Sequence, residues 1–400
     1  MGWKETCVME ERFKFVQEFQ TDDWSFAELC RRYGVSRQTG YKWLGRYAAA
    51  GLEGLRDESR APDHQANEVL AEVADAVLDM RREHPHWGPL KLRRRLQREA
   101  PEIIWPAAST MGEILKRAGL TVPRKQRRRA TPSASPLSHA AAANRVWSAD
   151  FKGWFRCGDG SRCDPLTMSD GYSRFLLRCQ AVERTDERTA QGIMEAAFRE
   201  YGLPEAMRTD NGEPFASVGL AGLSRLSVWW IKLGIRPERI KPGKPQQNGR
   251  HERLHRSLKQ ATAQPPAANL RAPQKAFDGF RQEYNWERPH EALEMKTPGE
   301  LYVPSGRSYP IHLSEPWYCG EWAVRRVGPC GTMGWHGAKI FVGKVLAGEA
   351  IGLEPVAEGQ WKLWFFGYPL AIFDERKGAI RKLDDQADRL ERSEVGKENV

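Results

Sequence analysis

The stretch KPGKPQQNGRHERLHRSLK, residues Lys241–Lys259, contains one acidic residue, Glu252, among many basic ones. A solvated helix usually mixes charges of both signs at i,i+4 spacing, so this composition is not that of an ordinary surface helix. The basic residues suit a phosphodiester backbone, which repels a carboxylate unless a divalent cation lies between them. Two interpretations of Glu252 stay open at this point: a metal ligand, or the ion-pair partner of a neighbouring arginine.

Two aspartates elsewhere in the chain lie in segments that resemble strands. Asp150 lies in the apolar and aromatic stretch VWSADF, and Asp210 precedes Asn-Gly in RTDNGEPF. Aspartate is a poor strand former, so its presence there needs a reason, and metal ligation supplies one. If the strands are neighbours, the two carboxylates must share a cation or a proton. Together with Glu252 they form a set of oxygen ligands that suits two Mg²⁺ or Mn²⁺ ions.

The sequence around these acids predicts a mixed α/β domain over residues 145–303. Segments rich in β-branched and aromatic residues come first, and helical and extended segments alternate after them. An antiparallel ribbon followed by βα units indicates a three-layer α/β/α architecture.

The blocks WSADF, RTDNGEPF and KPGKPQQNGRHERLHRSLK closely resemble the catalytic blocks of bacterial insertion-sequence transposases with a DDE core. This resemblance implies an integrase core of the ribonuclease-H-like fold, with Asp150, Asp210 and Glu252 as its catalytic and metal-binding residues. The spacing departs from the family, because residues 211–251, 41 in all, separate the last two acids where many relatives have about 35. A strict spacing would place the third acid at Gln246, so the local motif decides the assignment.

Asp170 and Arg174, in MSDGYSR, also resemble a family block. We interpret both as structural residues, because a hairpin turn explains Asp-Gly.

The first domain, residues 1–60, has the spacing of a helix-turn-helix. A capping box, Ser25 to Glu28, opens its second helix, and its third helix starts at Ser36 after a turn at Gly34. Polar side chains at the start of that third helix are in the position from which a recognition helix reads bases. The alternative is a generic helical hairpin with a polar outer face. The predicted DNA contacts are Arg37, Gln38, Thr39 and Lys42.

A second helical domain, residues 61–120, and a basic linker, residues 121–144, follow. Arg93 and Arg94 belong to a run of arginines that spreads round a helix, so they face either phosphate or plain solvent. Arg127 and Arg128 lie in the linker, where a basic cluster can follow a DNA backbone. The remaining predicted DNA contacts are Lys241, Lys244, Asn248, Arg250, Arg256 and Lys259.

The composition indicates the partner and the compartment. The net charge of +10 points to nucleic acid, and the seven cysteines contain no Cys-x-x-Cys pair that would indicate a zinc knuckle. No export signal and no apolar run of membrane-spanning length occurs in the sequence, so we expect an intracellular protein without a membrane partner. Residues 304–376 predict a small β-barrel, and residues 377–400, which are charged and poor in apolar residues, predict a mobile tail.

The resemblance implies a DNA transposase of the bacterial cytoplasm, associated with the nucleoid. Such an enzyme binds the terminal inverted repeats of its element, nicks the ends and joins the 3′-hydroxyls to target DNA by two-metal phosphodiester transfer. Its partner is double-stranded DNA, both element ends and target, and it works as a homo-oligomer, at least a dimer. Two alternatives stay open: a sequence-specific DNA-binding regulator with an inactive core, and a metal-dependent nuclease without strand transfer.

Overall fold

The computed structural model describes residues 7–58, 69–121, 140–217, 219–240, 249–262 and 271–383. The chain divides into two compact units, Met1–Val69 and Leu70–Val400. Five predicted DNA contacts lie outside the described residues: Arg127, Arg128, Lys241, Lys244 and Asn248. Within the described ranges no helix is both long and apolar enough to cross a membrane.

Capping residues set the helix starts of the first unit. The Ser25 hydroxyl accepts from the Glu28 backbone N–H and the Glu28 carboxylate accepts from the Ser25 backbone N–H, which confirms the predicted capping box. Ser36 caps the next helix through the N–H of Thr39. Gly34, at a φ of 64°, turns the chain between them. The helices are α1 (Val8–Gln20), α2 (Phe26–Arg32) and α3 (Arg37–Ala50).

The second unit begins with three helices packed around Trp87. This side chain is buried, and its indole N–H donates a hydrogen bond of 2.8 Å to the Glu283 carboxylate, far along the chain. The bond fastens the helices to the domain that follows. The helices are α4 (Ala71–Glu83), α5 (Pro89–Glu99) and α6 (Ala108–Arg117).

A mixed sheet forms the centre of the second unit, in the order β4-β3-β1-β5-β6. The pairs β4–β3 and β3–β1 are antiparallel, β1–β5 and β5–β6 are parallel, and the short β2 pairs with β3. The strands are β1 (Val146–Phe151), β2 (Phe155–Arg156), β3 (Arg162–Asp170), β4 (Leu176–Val182), β5 (Ala206–Thr209) and β6 (Arg236–Arg239).

Helices cover both faces of this sheet, as the predicted three-layer architecture requires. Successive side chains of a strand point to opposite faces, so Trp147 and Ala149 of β1 join the apolar core under α7 and α8. Helices α9 and α10 pack on the other face through residues such as Leu254 and Phe277. The helices are α7 (Glu187–Tyr201), α8 (Arg225–Lys232), α9 (Gly249–Thr262), α10 (Arg271–Gln282) and the short α11 (Pro298–Leu301), with a π-helical turn at Glu283–Glu287.

The carboxyl-terminal strands form an open antiparallel sheet and a separate hairpin. They are β7 (Ala323–Arg326), β8 (Thr332–Trp335), β9 (Ala338–Phe341), β10 (Ala350–Ala357), β11 (Gln360–Phe365), β12 (Tyr368–Asp374) and β13 (Ala379–Arg381). The sheet runs β13-β12-β11-β10-β7, and over the described residues its edge strands β13 and β7 are not paired with each other.

This arrangement differs from the closed barrel that the sequence predicts. The hairpin β8–β9 contributes Met333 and Ile340 to the same apolar core as Leu363 of the sheet. Because the hairpin helps to bury that face, the sheet does not have to close on itself to cover its core. Strand β13 also extends the sheet into the segment expected to be a tail.

Candidate metal and nucleic-acid site

Two predicted catalytic acids lie at the same edge of the central sheet. The register of the parallel pair β1–β5 places Val146 beside Ala206 and Ser148 beside Arg208. Asp150 lies two residues beyond Ser148 in β1, and Asp210 directly follows β5. The carboxyl ends of neighbouring parallel strands meet at one edge of a sheet, so both residues lie at that edge.

Helix α9 presents two different faces at this edge. His251, Leu254 and Leu258 are buried against the sheet. Glu252 is exposed, and Arg256 and Lys259, which follow it at helical spacing on the outward face, are exposed as well. The third predicted acid therefore lies on the solvent side of the helix with two basic residues.

A compact group of candidate metal ligands lies beneath that outward face. Among the described residues, Asp150, His251 and His255 each offer a ligand atom, and these atoms lie within 4.8 Å of one another. Asp210 and Glu252 are not members of this group. The structure thus brings Asp150 together with two imidazoles that the sequence analysis did not assign to the site.

The hydroxyl of Thr167 lies between the two imidazoles. Its oxygen is 2.6 Å from the Nε2 atom of His251 and 2.7 Å from that of His255. Because a hydroxyl has one proton, at least one of the imidazoles donates to it. Burial lowers the pKa of His251 well below its usual value and lowers the pKa of His255 to about 4. Both rings are therefore neutral near pH 7.

Lys152 adds a basic group at this edge that the sequence analysis did not select. Burial lowers its pKa, and the nearby charge of Lys259 lowers it further, while Lys152 in turn lowers the pKa of His255. The lysine ammonium is thus within electrostatic reach of α9. Two features of the sequence could have pointed to these residues. Lys152 follows Asp150 by two residues, and the stretch HERLH places two histidines one helical turn apart.

The predicted DNA contacts of the first unit lie at the start of one helix, α3. Arg37, Gln38 and Lys42 are exposed on α3. Thr39 is half-buried, and its hydroxyl is 2.9 Å from that of Ser36, so part of its role is to support the cap. Their assignment as DNA contacts remains a prediction.

The predicted contacts of the second unit differ in their surroundings. Arg94 is exposed on α5, whereas Arg93 is half-buried. Arg250 is exposed, and its Nη1 donates to the carbonyl oxygen of Gly171 at 2.6 Å. This bond ties the start of α9 to the turn after β3, which is a structural role that the sequence did not show.

Comparison with protein families identifies matches in both units. Residues 140–245 and residues 233–298 match integrase core domains. Residues 11–62 match a helix-turn-helix domain, and residues 39–115 match a homeodomain-like domain.

Two relatives come from bacterial insertion elements. An uncharacterized 31.7 kDa protein of insertion element IS407 from Burkholderia multivorans is 28% identical over 247 residues, which are 60% of this chain and 82% of that protein. An uncharacterized 39.2 kDa protein of insertion element IS476 from Xanthomonas euvesicatoria is 22% identical over 274 residues, covering 68% of this chain and 76% of that protein.

Solved structures with local similarity include retroviral integrases. The HTLV-2 integrase catalytic core domain, solved with magnesium in a trimeric form, has a TM-score of 0.33 at 15% identity and covers 41% of this chain and 99% of that chain. A simian T-cell lymphotropic virus intasome with the PP2A subunit B56 gamma has a TM-score of 0.35 at 17% identity and covers 74% of this chain and 98% of that chain.

Proposed function

We propose that this chain, which is similar to proteins of bacterial insertion elements and matches helix-turn-helix and integrase core domains, is the DNA transposase of such an element. In this proposal it binds the terminal inverted repeats, nicks the element ends and joins the freed 3′-hydroxyls to target DNA. The nucleophiles are water and then the 3′-hydroxyl, so no covalent enzyme intermediate is needed.

The observation that carries the proposal is the register of β1 and β5. These neighbouring parallel strands carry Asp150 and Asp210 at their carboxyl ends, and α9 carries Glu252. In this proposal the three acids, which are far apart in the sequence, act together. Exposed basic side chains beside them suit a phosphodiester strand, which the acids alone would repel.

The donor set fits divalent ions with a preference for oxygen. Asp150, Asp210 and Glu252 offer carboxylate oxygens, which suit Mg²⁺ or Mn²⁺. When bound, two such ions supply activation of the attacking oxygen and charge stabilisation of the leaving oxygen. The imidazoles of His251 and His255 are less suited to this role, because the Nε2 atom of each already contacts Thr167.

The protein groups around the acids have separate tasks in this proposal. Arg256 and Lys259, on the exposed face of α9, bind the phosphates on either side of the reacting one. Lys152 adds positive charge next to β1. The neutral pair His251 and His255, joined by the Thr167 hydroxyl, supports Asp150 from below without adding a competing charge.

A strand-transfer assay with pre-cut element ends, target DNA and Mg²⁺ tests the proposal. The wild-type chain is expected to give joined product. Glu252→Gln and Asp210→Asn are expected to lose it while keeping DNA binding, because an amide is a poor substitute for a metal-holding carboxylate. Glu183→Gln, which neutralises an exposed acid after β4, is the matched control and is expected to keep activity.

The same assay separates the alternatives. Cleavage without joining would identify a nuclease, and DNA binding without either reaction would identify a regulator with an inactive core. Full joining activity in Glu252→Gln would contradict its catalytic assignment. Because two element ends must react together, we also expect at least a dimer on DNA, which light scattering of the protein–DNA complex measures.

A further inference from the structure

A second polar site lies on the same sheet face, on the other side of α9 from Glu252. It is a cavity of about 150 Å³ between strands β1 and β3, helix α9 and the segment that follows α10. One water takes up about 30 Å³ of the liquid, so the cavity has room for several waters. Nothing in the proposed transfer reaction uses it.

Positive charge dominates the lining of this cavity. Two acids line it as well, but the oxygens of Asp170 accept hydrogen bonds from its own turn, including those from the Ser173 hydroxyl and backbone, and Glu291 is exposed. The structure therefore confirms the predicted structural role of Asp170. The six basic residues that line the cavity are Lys91, Arg174, Arg208, Arg250, Arg253 and Arg288.

Four of these six cations, Arg250 among them, form no ion pair with an acid among the described residues. Arg208 pairs with Glu238 at 3.0 Å and Arg250 binds a backbone carbonyl. In the part of the chain that the structure describes, no carboxylate forms an ion pair with Arg174, with Arg253 or with Arg288, and the buried Nε of Arg288 has no hydrogen-bond partner.

The electrostatic cost of this crowding is visible at Arg174. Burial lowers the pKa of its guanidinium, and the charges of Arg250 and Arg253 lower it further. Grouping like charges in a half-buried site is unfavourable unless an anion lies among them. The hairpin turn that explains Asp170 gives no reason for an arginine at position 174.

Two buried imidazoles in the lining each have a ring nitrogen without a partner among the described atoms. His290 is 8% exposed, and its Nε2 is such an atom. His251 is 2% exposed; its Nε2 contacts Thr167, but its Nδ1 has no hydrogen-bond partner among the described atoms. Leaving a buried polar group unsatisfied costs about 1–3 kcal/mol. The lining therefore calls for a ligand that hydrogen-bonds from several directions and carries negative charge.

We propose that this cavity binds a phosphate group, either free inorganic phosphate or the terminal phosphate of a DNA strand. A tetrahedral phosphate offers oxygens in every direction to guanidinium groups, which bind it with two hydrogen bonds each. Its second pKa is about 6, so near neutral pH it can either accept from an imidazole N–H or donate its own proton to a bare ring nitrogen. A carboxylate, with two oxygens in one plane, would satisfy fewer of these groups.

The cavity is close to the proposed catalytic edge. Ser148 and Ser169, a facing pair on β1 and β3, line it, and the next pair on the same face is Asp150 and Thr167. Two residues along a strand span about 7 Å. His251 contributes one ring nitrogen to each site. The terminus of a DNA strand bound in the cavity would thus lie next to the residue pair that contains Asp150. The part of the inference that concerns DNA rests on the proposed function.

Phosphate binding is tested on the full chain in metal-free buffer, without DNA. Thermal unfolding and calorimetry compare inorganic phosphate with chloride at equal ionic strength. Phosphate is expected to raise the melting temperature, and Arg174→Gln and Arg288→Gln are each expected to weaken binding at least tenfold. Arg225→Gln, which removes an exposed arginine from α8 on the opposite face of the sheet, is the matched control. Absence of a phosphate effect in the wild type, or an equal effect in Arg174→Gln, overturns the proposal.

A second variant keeps the test valid if these substitutions impair folding. Ser257 lines the cavity from α9, so Ser257→Glu places a carboxylate among the cations. We expect it to raise the melting temperature without phosphate and to abolish the increase with phosphate. A full phosphate response in this variant would overturn the proposal.

Oligonucleotides with a 5′-phosphate or a 5′-hydroxyl then distinguish the two sources. Tighter binding of the phosphorylated strand, lost in Arg174→Gln, assigns the site to a DNA terminus. Equal binding of both strands, together with a response to inorganic phosphate, assigns it to the free ion. Neither experiment measures strand transfer or needs a metal, so failure of the transposase proposal leaves the outcome readable.

Discussion

Replacing Thr167 with valine removes one hydroxyl and keeps nearly the same side-chain shape. In the structure that hydroxyl oxygen lies 2.6 Å from the Nε2 of His251 and 2.7 Å from that of His255. The substitution leaves both nitrogens without this partner, and each such loss costs about 1–3 kcal/mol when the group is buried. His255 is less buried than His251 and can turn partly toward water, so we expect a loss of about 2–4 kcal/mol in the free energy of unfolding.

Urea denaturation of the metal-free protein, followed by tryptophan fluorescence, measures this loss. Thr167→Ser is the matched control, because it keeps the hydroxyl and removes only a methyl group, worth about 1 kcal/mol. The valine variant is therefore expected to be less stable than the serine variant. A double variant that also carries His251→Leu is expected to recover part of the loss, because it removes a stranded imidazole. If valine is as stable as serine, the Thr167 bridge does not hold the two rings as described.

Three further predictions concern other parts of the chain. Burial and neighbouring cations lower the pKa of His290 from 6.5 to about 3. Because folding lowers this pKa, the contribution of His290 to the free energy of unfolding is fully present above about pH 6.5 and is lost as the pH drops toward 3. At pH 5 the loss from this group is about 2 kcal/mol. The measurement is the urea midpoint of the wild type and of His290→Gln at pH 7 and at pH 5, in phosphate-free buffer. The midpoint is expected to fall less in the variant than in the wild type. Trp87→Phe removes the indole hydrogen bond to the Glu283 carboxylate and is expected to cost about 1.5–3 kcal/mol, measured by the same denaturation; an unchanged midpoint would contradict the anchoring role of that bond. Ser25→Ala removes the capping box of α2 and is expected to lower helix stability in the first unit by about 1 kcal/mol, seen by circular dichroism on heating, whereas Ser25→Asp should keep most of it.

Local features of the sequence were sufficient for the first unit. A cap acts on backbone groups within the next three residues, so Ser25 with Glu28, and Ser36, could be identified from neighbouring residues alone. The same holds for the Oδ2 of Asp170, which accepts from groups within its own turn, whereas its Oδ1 accepts from the backbone N–H of Asn144, 26 residues earlier. The bonds within each cap or turn depend on residues close together in the chain, so a linear pattern contains their partners.

The acids of the core were recognisable for a different reason. Asp150 is out of place in an apolar strand, and Glu252 is out of place in a basic helix, so each was conspicuous against its own surroundings. The sequence left open whether the strands of Asp150 and Asp210 are neighbours, and the parallel pairing of β1 with β5 shows that they are.

By itself, then, the sequence determined the helix-turn-helix caps and the mixed α/β core, and it predicted the catalytic role of the three acids. Only the tertiary structure decided which side of α9 faces the sheet, and with it the contacts of Thr167 with His251 and the phosphate-sized cavity around Arg174. The physical reason is distance along the chain: Thr167 and His251 are 84 residues apart. Packing and strand register, which no local period encodes, bring them within hydrogen-bond reach. The open carboxyl-terminal sheet was also decided by packing, because the hairpin β8–β9, between β7 and β10 in the chain, helps to bury the core of that sheet.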